Sequence, residues 1–96
     1  MEVKKMIDYR KEIEDRLATR FDSVVINNQI CFDTNNAIIH VDAIPYDDGV
    51  HNIVIEYADT LEDAKNNAFE DGNQYYPYDF SSVDDMYFAI LKEITM

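Results

Sequence analysis

Asn36-Ala37-Ile38-Ile39-His40-Val41-Asp42-Ala43-Ile44 is the longest run rich in β-branched residues in this chain. Its side chains divide by alternation, with Ala37, Ile39, Val41 and Ala43 on one side and Ile38, His40, Asp42 and Ile44 on the other. That period of two predicts a strand with one face in a core and the other partly wet. Just upstream, Ser23-Val24-Val25-Ile26 and Gln29-Ile30-Cys31-Phe32 flank Asn27-Asn28, and asparagine tolerates the positive φ of a two-residue hairpin turn. Asp33-Thr34-Asn35-Asn36 forms a second turn, and Pro45, which cannot donate to a ladder, ends the long strand. After a third turn at Tyr46-Asp47-Asp48-Gly49, Val50 to Tyr57 alternates again, with Ile53, Ile55 and Tyr57 inward and Asn52, Val54 and Glu56 outward. Three tight connections in succession predict an antiparallel β-meander of three to four strands, its outer face showing Asp33, His40, Asp42 and Glu56.

Helical patterns close both ends. Val3, Met6/Ile7, Ile13, Leu17 and Phe21 recur at three-to-four-residue spacing, which predicts a helix over residues 2–20. Glu12–Arg16, Lys4–Asp8 and Lys11–Asp15 would neutralise its polar face. Thr60-x-x-Asp63 reads as the cap of a second helix, with Leu61, Ala64 and Ala68 on its apolar side and Gly72 as its stop. Asn73 to Phe80 has no helical period and reads as a connector. Ser81 or Ser82 caps a last helix from Val83 to Ile94, with Val83, Met86/Tyr87, Ile90/Leu91 and Ile94 as its core stripe. The expected fold is one α+β domain over residues 1–96, order αββββαα, with helices on one face of a small sheet.

Charge is distributed unevenly. Residues 1–20 hold six of the eight basic groups against five acids, whereas residues 21–96 hold only Lys65 and Lys92 against fifteen. The whole chain carries a formal net charge of −12. Such a surface disfavours direct contact with nucleic acid or anionic lipid and favours a basic protein partner. There is no apolar run of the ~20 residues a membrane span needs, and no signal-peptide pattern at the N-terminus. The lone Cys31 reads as a reduced thiol, so the expected location is cytoplasmic.

Catalytic chemistry has little to stand on. His40 and Asp42 share one strand face, but no Cys/His cluster or His-x₃-His spacing supports a metal site. Asp47-Asp48-Gly49 lacks the Asp-x-Asp-x-Asp-Gly spacing of a calcium loop. Cys31 has no basic residue close in sequence to lower its pKa, and two glycines, Gly49 and Gly72, cannot make a phosphate-cradling loop. The expectation is a protein that is not an enzyme and takes no cofactor.

What remains is an acidic, tyrosine-rich stretch. Nine acids between Glu56 and Asp85 surround Tyr75, Tyr76, Tyr78 and Phe80. Tyrosine supplies contact area with few rotors to freeze, and carboxylates around it would steer and pair a partner's arginines. Duplex DNA carries one charge per about 3.4 Å of axis on each strand, a density that a helix–loop–helix dense in Asp and Glu approximates. The predicted contact residues are Glu62, Asp63, Glu70, Asp71, Asn73, Gln74, Tyr75, Tyr76, Tyr78, Asp79, Asp84 and Asp85. The plainer reading has the tyrosines filling the seam between helices and sheet while the acids merely solvate the surface.

Ala68-Phe69-Glu70-Asp71-Gly72-Asn73-Gln74-Tyr75-Tyr76 resembles the Ala-Phe-x-x-Gly…Asn-Gln-x-Tyr stretch of a small, phage-borne family of anti-CRISPR proteins, and the order of predicted elements is similar too. The resemblance covers about a tenth of the chain. It implies an acidic DNA mimic that blocks the arginine-lined site where a guide-loaded nuclease reads the short motif beside its target. Glu70, Asp71, Asn73, Gln74 and Tyr75 fall on the matching box. The chain departs from the family where that stretch continues into glutamates: here stand Pro77, Tyr78, Phe80 and two serines. The leading expectation is an inhibitor from a phage or mobile element. The alternatives are an immunity or antitoxin-like protein that neutralises a basic toxin, and a non-inhibitory interaction module.

Overall fold

The computed structural model describes residues 7–45 and 50–95, which form an α+β fold. Its elements run α1 (Tyr9–Ala18), β1 (Asp22–Ile26), β2 (Gln29–Asp33), β3 (Ile38–Pro45), β4 (His51–Ala58), α2 (Leu61–Lys65), β5 (Glu70–Tyr75), a 3-10 turn at Pro77–Asp79, and α3 (Val83–Ile94). The five strands make one antiparallel sheet in the order β1-β2-β3-β4-β5. The meander stands as the alternation predicts, but with a fifth strand. The order is αββββαβα rather than αββββαα. The third predicted turn, Tyr46 to Gly49, and the start of the predicted first helix, residues 2–6, lie outside the described residues.

Local chemistry explains the boundaries. Asp8 Oδ1 accepts the Lys11 backbone N–H (3.1 Å) and starts α1 there. Asn27 and Asn28 both hold positive φ, 52° and 66°, as a tight two-residue hairpin requires. Thr60 Oγ1 accepts from Asp63 N and Ser82 Oγ from Asp85 N, the two caps expected for α2 and α3. The α2 helix is nonetheless only five residues long. Asn67, at φ 58°, takes the left-handed conformation just past its end, where the chain turns out of the helix and into β5. Gly72 is therefore no helix stop. It lies in β5, where a Cβ would collide with the Glu93 carboxylate and come within 2.6 Å of Tyr57 Cε2 and 2.9 Å of the Ile55 carbonyl.

Both faces of the sheet are covered. Phe32, Ile39, Val41, Ile53 and Ile55 pack with Ile13 and Leu17 of α1 and Met86, Ile90 and Ile94 of α3. The opposite alternation places Cys31, Ile38 and Ala58 with Ile26, Ala64 of α2 and the flanking Val24 and Phe69. Val54, expected outward, is fully buried as well. The expectation of a single covered face gives way here, because α2 and Phe69 close over the second one. No helix among the described residues is long and apolar enough to cross a membrane.

Candidate functional site

The second face holds a buried polar chain. Cys31, His40 and Glu56 stand side by side on β2, β3 and β4. Antiparallel partners share a sheet face, so the pairing brings together three groups far apart in sequence. His40, expected half-exposed beside Asp42, is only 3 % exposed. Its Nδ1 lies 2.8 Å from Glu56 Oε1 and its Nε2 lies 3.2 Å from Arg10 Nη2. A guanidinium can only donate, so Nε2 accepts, and the ring proton sits on Nδ1 facing Glu56. Arg10 Nε reaches Glu14 at 3.5 Å, and Phe69 tilts over the imidazole at 6.0 Å between ring centroids.

Cysteine, histidine and carboxylate on adjacent strands suggest a nucleophilic triad, but the chemistry is set against one. Arg10 already occupies the imidazole nitrogen that would take a thiol proton. Burial pushes the Cys31 thiol above its ordinary pKa, and the charges of Glu14 and Glu56 push it further. A thiol so placed stays protonated and unreactive. Burial likewise raises Glu14, against the opposing charge of Arg10. This is a structural network that ties α1 to the sheet. Among the described residues no group of three or more His, Cys, Asp or Glu side chains is placed to hold a metal ion.

A second polar cluster fixes β5 to α3. The Glu93 carboxylate accepts from the hydroxyls of Tyr57 and Tyr75 (2.5 Å for Tyr75) and from the Asn73 backbone N–H (3.2 Å). Burial, and then the bonded, charged Glu93, hold both phenols above the ordinary 10.0. Tyr75 is thus a core residue, and its place among the predicted contact residues is corrected. Tyr76 is half-buried and stacks edge-on against Tyr78, which is 65 % exposed.

The remaining predicted residues fall into two groups. Glu62, Glu70, Asp71, Asn73 and Gln74 are exposed, and Asp63 is half-exposed. Asp59, Asp63 and Glu70 line one cleft with Tyr57 and Ala68, where α2, β4 and β5 meet. Its volume of about 170 Å³ falls short of the several hundred that a small-molecule site encloses. Asp71 stands opposite Glu56 in the β4–β5 register, so this corner gathers like charges. None of Asp59, Glu62, Asp63, Glu70 and Asp71 makes an ion pair among the described residues.

Asp79, Asp84 and Asp85 are exposed elsewhere, around the 3-10 turn and the first turn of α3. Asp84 is already paired, at 3.0 Å, with Arg16 of α1. Because Glu93 near the far end of α3 touches Asn73, the helix separates the two groups by roughly 14 Å at 1.5 Å per residue. Phe88 was not foreseen as a surface residue. It is 62 % exposed on the outward stripe with Asp84 and Asp85, a position that the core periodicity of α3 leaves facing solvent. Compared with known proteins, the chain matches no family model, no curated protein and no solved structure.

Proposed function

We propose that this protein is an acidic inhibitor that mimics nucleic acid and occupies the DNA-binding groove of a CRISPR nuclease or similar basic defence enzyme. The observation that carries the reading is the α2–β5 corner. Five carboxylates between Asp59 and Asp71 stand there against one lysine, Lys65, and none of the five makes an ion pair among the described residues. Fixed negative charge on packed elements is preorganised for arginines that otherwise grip phosphate, and desolvated pairs of that kind fix register and partner choice. Glu70 and Asp71 project from the edge strand β5, which Glu93, Tyr57 and Tyr75 hold to α3. The box resembling the phage-borne inhibitors falls on this strand and supports the same target class.

The test is competition. A guide-loaded nuclease should bind the protein, lose it when target DNA fills the groove, and bind it more weakly as salt rises. Glu70→Lys with Asp71→Lys should weaken binding by more than about tenfold, since like charges across an interface cost several kcal/mol. The fold should survive, because both side chains are exposed. Undiminished binding to the DNA-filled nuclease, or indifference to salt, would overturn the reading. Tight capture of a basic toxin without competition by DNA would favour an immunity protein instead.

A further inference from the structure

The two edges of the sheet are built differently, and the contrast points to a second interface. β5 is a guarded edge. It carries Glu70 and Asp71, its register with β4 shifts between Val54 and Glu56, and the Glu93 carboxylate takes the Asn73 N–H. Charge, irregularity and side-chain cover are the devices by which edges are kept from pairing with other chains. β1 carries one charge, Asp22 at its first position, and among the described residues shows neither a register shift nor side-chain cover. Asp22-Ser23-Val24-Val25-Ile26 contains no lysine, proline or glycine, and its register with β2 is unbroken from Asp22↔Asp33 to Ile26↔Gln29. Val25 is 71 % exposed. The tight Asn27-Asn28 turn makes Ile26–Gln29 a hydrogen-bonded pair, so the backbone groups of Ser23 and Val25 point away from β2 to the open edge.

We propose that this edge docks a second copy of the chain, β1 against β1 across a two-fold axis at Val24. In that register Ser23 of each copy bonds Val25 of the other, giving four backbone hydrogen bonds made wholly within the strands. Val24 meets Val24 of the second copy on the face that already holds Ile26, Cys31 and Ile38. Asp22 lies opposite Ile26 of the second copy, which keeps the two Asp22 carboxylates apart.

Charge selects the occupant. Asn27 Nδ2 donates to the Lys65 carbonyl (3.1 Å), which ties the exposed Lys65, in no ion pair among the described residues, to the β1–β2 turn. Asp22 sits at the other end of β1, on the face that α2 covers. The two-fold axis therefore brings Asp22 of each copy to the Lys65 end of the other, twice over. Pairing through β5 would instead set Glu70 and Asp71 of one copy against the same acids of the other. The dimer would carry one continuous ten-stranded sheet whose β5 edges stand nine strand spacings apart, roughly 43 Å before twist. Each acidic corner stays open, so the inference stands whether or not the inhibitor reading does.

Sedimentation velocity from micromolar to millimolar concentration decides it. The mass should rise from the chain's 11.2 kDa toward twice that value. Val25→Lys should hold it at one chain, with an unchanged circular dichroism spectrum. Lys65→Asp should weaken the dimer at least tenfold, and Asp22→Lys combined with Lys65→Asp should restore it. One chain at every concentration overturns the proposal. So does a dimer that Val25→Lys leaves intact, or a charge swap that restores nothing.

Discussion

The α1 flank and the α2–β5 corner are both rich in carboxylates but use them to opposite ends. On α1, Glu12 pairs with Arg16 at 2.8 Å, Glu14 with Arg10 at 3.5 Å and Asp15 with Lys11 at 3.3 Å, while Arg16 also reaches Asp84. At the corner, Asp59, Glu62, Glu70 and Asp71 are exposed and have no such partner among the described residues. Exposed ion pairs each contribute about 0–1 kcal/mol, so the difference scarcely touches folding. It decides where negative potential is left over for another molecule. Composition states how many charges a chain carries, and only the fold states which are already spent on neighbours.

The largest break in this contrast comes from the residue that seats the corner. Gly72→Ala should destabilise the protein by about 3 kcal/mol, because the added methyl meets the Ile55 carbonyl, which cannot move aside as a flexible side chain would. Urea unfolding measures it, and a loss under about 1 kcal/mol would mean that β5 can shift without cost. Next is the carboxylate above it. Glu93→Gln keeps the size but weakens three hydrogen bonds to a charged acceptor, a loss of about 1–3 kcal/mol. The same cluster sets alkaline behaviour. Tyr57 and Tyr75 are raised above 10.0 in the folded protein, so the unfolded chain releases their protons first as pH rises. Stability from these phenols is complete below pH 10 and declines above it. Tyr75→Phe should flatten the fall in unfolding free energy measured from pH 9 to 11.

The meander was legible because its signals are local: alternation in β3 and β4, and two asparagines at positive φ between β1 and β2. The caps at Thr60 and Ser82 were legible for the same reason. β5 was not. Glu70-Asp71-Gly72-Asn73-Gln74-Tyr75 is poor in strand-forming residues, and only Tyr75 among them is buried. Its extended form comes from the open edge of β4, which sequence cannot display. Nor could sequence show that His40 answers to Glu56, sixteen residues away, rather than Asp42, since that pairing exists only once β3 and β4 are in register. At the candidate site the exposure of the acids on α2 and β5 followed from composition. The burial of Tyr75 required knowing what lies over the sheet.

The smallest effect discriminates best, because it turns on sign. Glu12 stands by a cation, whereas Asp71 stands directly opposite Glu56 across the β4–β5 ladder. Like charges at facing positions destabilise a sheet, and i,i+4 ion pairs support a helix, each by a few tenths of a kcal/mol. Glu12→Gln should therefore lower the unfolding free energy by about 0.3 kcal/mol and Asp71→Asn should raise it by a similar amount. Both differences should shrink toward zero near 1 M salt, where the screening length falls to about 3 Å. Precise thermal melts at low and high salt measure this. If Asp71→Asn proves destabilising at low salt, a hidden cation compensates the corner, and the potential that the inhibitor reading depends on is absent. If it stabilises and the gain fades with salt, the corner holds unspent charge in a fold that tolerates the repulsion.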